Sequence, residues 1–300
     1  MYDIVIVGAG TAGLSAAIYA CRAGKSVLLL EEKSYGGQII NTPEVENYPG
    51  IKRISGFEFA TNLYQQAADL GAEIKYERAE GIRSENENKI VVTPDNEYVC
   101  RSVILATGAK NRPLGIENEA EMTGRGISYC ATCDGAFFRN KDVAVIGGGN
   151  TALEDALFLS NTARMVYVIH RRKEFRGEAK RLEALRQKEN VVFLLESTVV
   201  KLNGETSLES VEVENVNTKE RRTLAISGLF VAIGQMPENR AFADLVDTDE
   251  VGYIVAAENC RTNEEGVFTA GDCRTKSVRQ LATAAADGAI AGLAACEYIG

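Results

Sequence analysis

Asp3-Ile4-Val5-Ile6-Val7-Gly8-Ala9-Gly10-Thr11-Ala12-Gly13 is the stretch that decides the fold. A β-branched apolar run enters Gly-x-Gly-x-x-Gly, and small residues follow through Ser15-Ala16-Ala17-Ile18-Tyr19-Ala20. That order reads as a buried strand, a tight turn and a helix. Gly8, Gly10 and Gly13 permit the turn and let the backbone approach a pyrophosphate at the helix N-terminus. The spacing alone is weak evidence; the strand before it and the helix after it raise it.

The same device recurs downstream. Asp142-Val143-Ala144-Val145-Ile146 enters Gly147-Gly148-Gly149-Asn150-Thr151-Ala152, with Ala152 in the third glycine's place, and an Ala- and Leu-rich helix follows through Leu159. The chain therefore carries two dinucleotide folds, and the end of each second strand tells them apart. Lys25-Ser26-Val27-Leu28-Leu29-Leu30 runs into Glu31-Glu32, where an acid can accept a hydrogen bond from a ribose hydroxyl. Met165-Val166-Tyr167-Val168-Ile169 runs instead into His170-Arg171-Arg172, with Arg176 a turn further on. Arginines there bind a 2′-phosphate that an acid would repel. The first half thus fits FAD and the second NADPH, the alternative for the arginines being a solvated basic helix start. His170, the only histidine, reads as part of the cofactor wall.

Just ahead of the second fingerprint stands Cys130-Ala131-Thr132-Cys133-Asp134-Gly135. A Cys-x-x-Cys beside a dinucleotide fold can pass two electrons between a cofactor and a disulfide, and a helix start after it would stabilise the attacking thiolate. Asp134 supplies a nearby proton, or caps a helix. Half a zinc site and two incidental cysteines are the alternatives. Cys21, Cys100, Cys260, Cys273 and Cys296 stand singly, so they offer no second pair to complete a metal site.

The 300 residues are enough for about two domains, and the net charge of −9 argues against a nucleic-acid partner. No apolar run reaches the ~18 residues of a membrane span. The chain enters a strand straight after Met1, which leaves no room for a secretory signal, and the odd, scattered cysteines fit a reducing compartment. A cytoplasmic protein is expected. Between the fingerprints the sequence predicts a hairpin (Lys89–Thr93 and Tyr98–Cys100 around Pro94-Asp95-Asn96) and a separate strand from Ser102 to Gly108. Val211–Val216 and Leu229–Gly234 read as strands in the second half. Near the end, Gly266–Asp272 reads as a strand and Gln280–Tyr298 as a helix. The simplest order is a FAD domain built from both ends of the chain, with the NADPH domain inserted.

Both fingerprints, Gly36-Gly37-Gln38, Val45-Glu46-Asn47-Tyr48-Pro49-Gly50, Ala106-Thr107-Gly108, the dithiol segment, His170-Arg171-Arg172 with Phe175-Arg176, and Gly271-Asp272 with Arg279-Gln280 resemble the low-molecular-weight, bacterial-type thioredoxin reductases. The resemblance spans residues 2 to about 298. It implies an α/β fold of two Rossmann-like, three-layer ββα dinucleotide-binding domains: FAD segments at 1–113 and 242–300 around an NADPH domain at 114–241. It implies Cys130–Cys133 as the active disulfide and Asp134 as its proton donor. FAD would be lined by the first fingerprint, Glu31, Gly36, Gly37, Gln38, Asn47, Thr107, Gly108, Gly271, Asp272, Arg279, Gln280 and Leu281. NADPH would be held by Gly147, Gly149, Asn150, Thr151, Glu154, His170, Arg171, Arg172 and Arg176. The implied partner is thioredoxin or a thioredoxin-like protein, the implied assembly a homodimer, and the NADPH domain would rotate between two orientations. Phe137, Phe138 and Arg125 read as a partner-docking patch, with core packing as the alternative for the aromatics. Thr11, where the family more often has proline, is a small departure. A ferredoxin-NADP reductase is opposed by the dithiol, a ferredoxin-fed flavin reductase by the arginines, and an oxygen-using dithiol oxidase by the second fingerprint.

Overall fold

The computed structural model describes residues 1–42 and 44–300. It divides into two compact units: Met1–Lys110 with Met236–Gly300, and Asn111–Gln235. The second is thus inserted into the first.

In the first unit, Tyr2–Val7 lies between two parallel neighbours, Val27–Leu30 and Glu97–Leu105. Its period-2 pattern separates two cores. Ile4 and Ile6 pack with Leu14, Ala16, Ala291 and Ala295 of the helices Thr11–Arg22 and Leu281–Ile299. Val5 and Val7 pack on the other face with Val91, Tyr98, Phe242 and Ile254. Each fully buried aliphatic here contributes about 1.5–3 kcal/mol as an upper estimate. The expected separate strands at Tyr98–Cys100 and Ser102 onward are one strand, Glu97–Leu105. One edge changes partner along its length: it pairs antiparallel with Asn88–Val92 and then parallel with Val267–Thr269. The other edge pairs with Tyr2–Val7 and keeps the strand continuous.

The inserted unit repeats the plan. Its five-stranded sheet is parallel throughout, in the order Val191–Leu194, Met165–Ile169, Asp142–Ile146, Gly228–Val231, Ile127–Ser128. Ala144 and Ile146 face Val199, Leu202, Val211 and Val213 of a three-stranded antiparallel layer. Val143 and Val145 face Ala152, Leu153, Ala156 and Leu159 of the helix Asn150–Ser160.

The unit boundaries differ from the sequence expectation of 113/114 and 241/242, and hydrogen bonds explain the shift. Asn239 is 2% exposed and its amide nitrogen donates to the Gly252 and Cys273 carbonyls, while Thr107 bonds to its oxygen, so the segment after Gln235 belongs with the first unit. Asn111 accepts from Gln235, and the Arg112 amide donates to the Gly234 carbonyl, which ties 111–113 to the inserted unit. Among the described residues, no helix is long and apolar enough to cross a membrane.

Candidate redox and nucleotide sites

In the inserted unit, Cys130 and Cys133 are joined by a disulfide with a Cα–Cα distance of 5.3 Å. Cys130 precedes a single helical turn, Ala131–Asp134, and Cys133 is exposed on it. The turn forms because the Cys133 and Asp134 amides both donate to the Cys130 carbonyl. Asp134 does not cap a helix with its side chain. Its carboxylate accepts a 2.6 Å hydrogen bond from Ser128 Oγ, which also accepts from the Cys130 amide at 3.1 Å. Burial raises the Asp134 pKa, and the Ser128 hydrogen bond opposes that shift without cancelling it. A carboxyl group whose pKa burial raises, set beside a disulfide, is suited to proton donation. Ser128, on the sheet edge and buried, is a site residue that the sequence reading missed. No motif marks it, although its contacts are local: the Cys130 amide two residues on and the Asp134 carboxylate six residues on.

The two aromatics after the dithiol separate. Phe137 is 44% exposed, whereas Phe138 packs edge-on against the fully buried Phe230 at 5.3 Å. Phe138 is therefore core packing, and Phe137 with the exposed Arg125 is what remains of the expected patch.

At the second fingerprint, the helix Asn150–Ser160 begins at Gly149 with no side-chain cap and no acid in its first turn. A Cβ built on Gly149 would meet nothing within 4 Å, so its open side is free for a ligand. Gly148 is glycine for a different reason: a Cβ there would lie 2.1 Å from the His170 ring. His170 is buried, stacks on Phe175 at 4.9 Å, and its Nε2 lies 3.0 Å from the Glu174 carbonyl. A carbonyl only accepts, so Nε2 carries the proton. Burial first, then the neighbouring arginines, lower the His170 pKa and keep the ring neutral. The histidine thus braces the turn as a wall.

Arg171, Arg172 and Arg176 are exposed, and none has an acidic partner among the described residues. The Arg176 amide donates to the Gly148 carbonyl at 2.7 Å, which brings the arginine loop to the fingerprint. Asn150 accepts from the Glu178 amide at 2.8 Å, and Glu154 pairs with Arg181 at 2.8 Å. Thr151 is exposed at the same helix start.

The first unit assembles its expected residues around the other helix start. Gly10 precedes the helix Thr11–Arg22, again without side-chain cap or first-turn acid, and a Cβ on it would meet nothing within 4 Å. A Cβ on Gly13, by contrast, would sit 1.8 Å from the Gly8 carbonyl oxygen, and one on Gly8 2.3 Å from that of Ala106, just before Thr107-Gly108. Glu31 accepts from the Ala9 amide at 2.8 Å, and the Gly36 amide donates to the Ala9 carbonyl at 2.8 Å. Gly37 lies against Gly10, Gln38 donates to the Ala109 carbonyl, and Asn47 bonds to Gln280 at 3.3 Å. Gln280 and Thr283 close a capping box that starts the helix at Leu281.

Asp272 lies in the short turn Gly271–Cys273, and its Oδ1 is buried with no hydrogen-bond partner. Burial raises its pKa. An orphaned buried carboxylate oxygen is costly, and a hydroxyl-bearing ligand would satisfy it. Arg279 does not point freely at a ligand. Its guanidinium donates to the Asp272, Lys276 and Arg274 carbonyls and lies 4.1 Å over the Tyr253 ring, so it holds the turn. The open glycine sides, the uncapped helix starts, the orphaned Asp272 oxygen and the unpartnered arginines all fit dinucleotides.

A model for pyridine nucleotide-disulphide oxidoreductases matches residues 2–289. The chain belongs to that family. It is 46% identical over 299 residues to the thioredoxin reductase of Treponema pallidum, covering 99% of this chain and 97% of the relative. It is 43% identical over 302 residues to a bifunctional thioredoxin reductase/thioredoxin of Mycobacterium leprae, covering 100% of this chain and 66% of that protein. The crystal structure of thioredoxin reductase from Streptococcus pyogenes matches at a TM-score of 0.95 and 40% identity, over 99% of this chain and 98% of that one.

Proposed function

We propose that this chain is an NADPH-dependent thioredoxin-disulfide reductase. The observation that carries the reading is the Cys130–Cys133 disulfide with the Asp134 carboxyl behind it, set on a pyridine nucleotide-disulphide oxidoreductase fold. The names of the full-length relatives support thioredoxin, or a thioredoxin-like protein, as the acceptor. So does the Mycobacterium leprae relative, in which both activities share one name.

Gly8, Gly10, Gly13, Glu31, Gly36, Gly37, Gln38, Asn47, Thr107, Gly108, Gly271, Asp272, Arg279, Gln280 and Leu281 hold FAD. Within that set, Asp272 accepts from its polyol hydroxyls and Arg279 keeps the turn in shape. Gly147, Gly149, Asn150, Thr151, Glu154 and His170 form the nucleotide wall, and Arg171, Arg172 and Arg176 bind the 2′-phosphate. When bound, the nicotinamide and the flavin supply the two-electron transfer that opens the disulfide. Asp134 then gives its proton to one nascent thiolate. The other sulfur, left as a thiolate, attacks one sulfur of the acceptor disulfide and releases its second sulfur as a thiolate. The first returns its proton through Asp134 to that thiolate and, now a thiolate itself, resolves the mixed disulfide. Cys130–Cys133 is left oxidised, and the acceptor is a dithiol once its last sulfur takes a proton from solvent.

The protein acts in the cytoplasm, in keeping with five free cysteines among the described residues. It works as a homodimer, a reading supported by Ile290 and Leu293, which lie exposed on one face of the C-terminal helix at 39% and 52%. The direct test is NADPH oxidation by the FAD-loaded protein with oxidised thioredoxin. Turnover should require thioredoxin and vanish in Cys133→Ser. Turnover that Cys133→Ser retains, or that ferredoxin or oxygen supports alone, would contradict the reading.

A further inference from the structure

Beneath the Gly271–Cys273 turn lies a group of buried charges that the chemistry above does not use. Asp287, on the C-terminal helix, accepts the Gly271 amide at 2.9 Å, Arg274 Nε and Nη2 at 2.8 Å each, and Lys276 Nζ at 2.8 Å. The three side chains are 6–8% exposed. Two cations and one acid are thus taken out of water together, which is unfavourable unless the geometry is specific. Here the geometry is directed at one place. Gly271 sits at φ +82°, and its amide donates to Asp287. The next residue is Asp272, whose buried Oδ1 has no partner in the protein. Arg274 also donates to the Ala256 and Thr275 carbonyls, so the same guanidinium fixes the chain on the far side of the turn.

We infer that Asp287 is a positioning residue for flavin binding: through Gly271, Arg274 and Lys276 it fixes the turn that aims the Asp272 carboxylate at the cofactor. The inference rests on the reading of Asp272 as a flavin contact. Asp287 need not touch the cofactor itself. Its contribution is to hold a costly conformation ready, so that binding does not have to order it.

The test is FAD affinity, measured by equilibrium ultrafiltration on the deflavinated full-length chain for Asp272→Asn, Asp287→Asn and the double variant. Charge-assisted hydrogen bonds of this kind correspond to a loss of at least about tenfold in affinity for each single variant. The double variant should bind no more than about twofold worse than Asp272→Asn, because Asp287 acts through Asp272. NADPH affinity should be unchanged. Losses that multiply in the double variant would overturn the inference, as would full FAD affinity in Asp287→Asn. Full affinity in Asp272→Asn would instead remove the underlying reading of Asp272. Should Asp287→Asn not fold, Lys276→Met leaves the Arg274–Asp287 pair in place. It should lose affinity by a smaller factor that disappears in the Asp272→Asn background, and a factor that persists there contradicts the inference.

Discussion

At the scale of single residues, the chemistry depends on where burial places a proton. Asp134 has its pKa raised above the ordinary 3.8 by desolvation, so its acid form survives to higher pH than that of a surface carboxylate. For a proton donor the sign is clear: turnover falls as pH rises through the raised value. The same shift bears on stability. The contribution of Asp134 is fully present below 3.8 and is lost as pH rises through the folded-state value. Asp134→Asn should slow thioredoxin reduction by about 100-fold and flatten the alkaline limb of the pH–rate profile. A variant with the limb intact would place the proton donor elsewhere. Cys130, Cys133 and Asp134 were legible in the sequence because they are adjacent in it. Ser128 was not, because an isolated serine carries no pattern of its own, and Asn239 and Asp287 were not, because their partners are backbone atoms and side chains that the fold brings from further along the chain.

At the scale of elements, the two strand–turn–helix units were readable because strand, turn and helix are consecutive and each has its own pattern. The glycine spacing, however, hides two physical roles. Gly10 faces open space at φ −76°, a conformation any residue can adopt, whereas a Cβ on Gly13 would lie 1.8 Å from a backbone oxygen. Gly10→Ala should leave the melting temperature of the flavin-free protein unchanged and weaken FAD binding. Gly13→Ala should destabilise the flavin-free protein itself by about 3 kcal/mol. Calorimetry on both variants checks this, and a destabilised Gly10→Ala would mean that the first role is structural too. The continuous strand Glu97–Leu105 was not legible for a related reason. Its change of partner midway depends on Val267–Thr269, more than 160 residues away in sequence.

At the scale of the whole molecule, the insertion follows from the chain crossing twice between units, and hydrogen bonds from Asn239 and Asn111 set where it crosses. The exposed Ile290 and Leu293 give the proposed homodimer its testable face. Ile290→Glu with Leu293→Glu should convert a dimer to a folded monomer by light scattering, and a variant that remains dimeric would place the interface elsewhere. Everything proposed for the molecule turns on electrons from NADPH passing to one particular disulfide. One equivalent of NADPH should therefore be added anaerobically to the oxidised, FAD-loaded protein, followed by thiol alkylation and peptide mapping. Cys130 and Cys133 should gain label together, while Cys21, Cys100, Cys260, Cys273 and Cys296 keep the labelling they had before reduction. NADPH consumed with Cys130–Cys133 still joined would show that the electrons come to rest elsewhere.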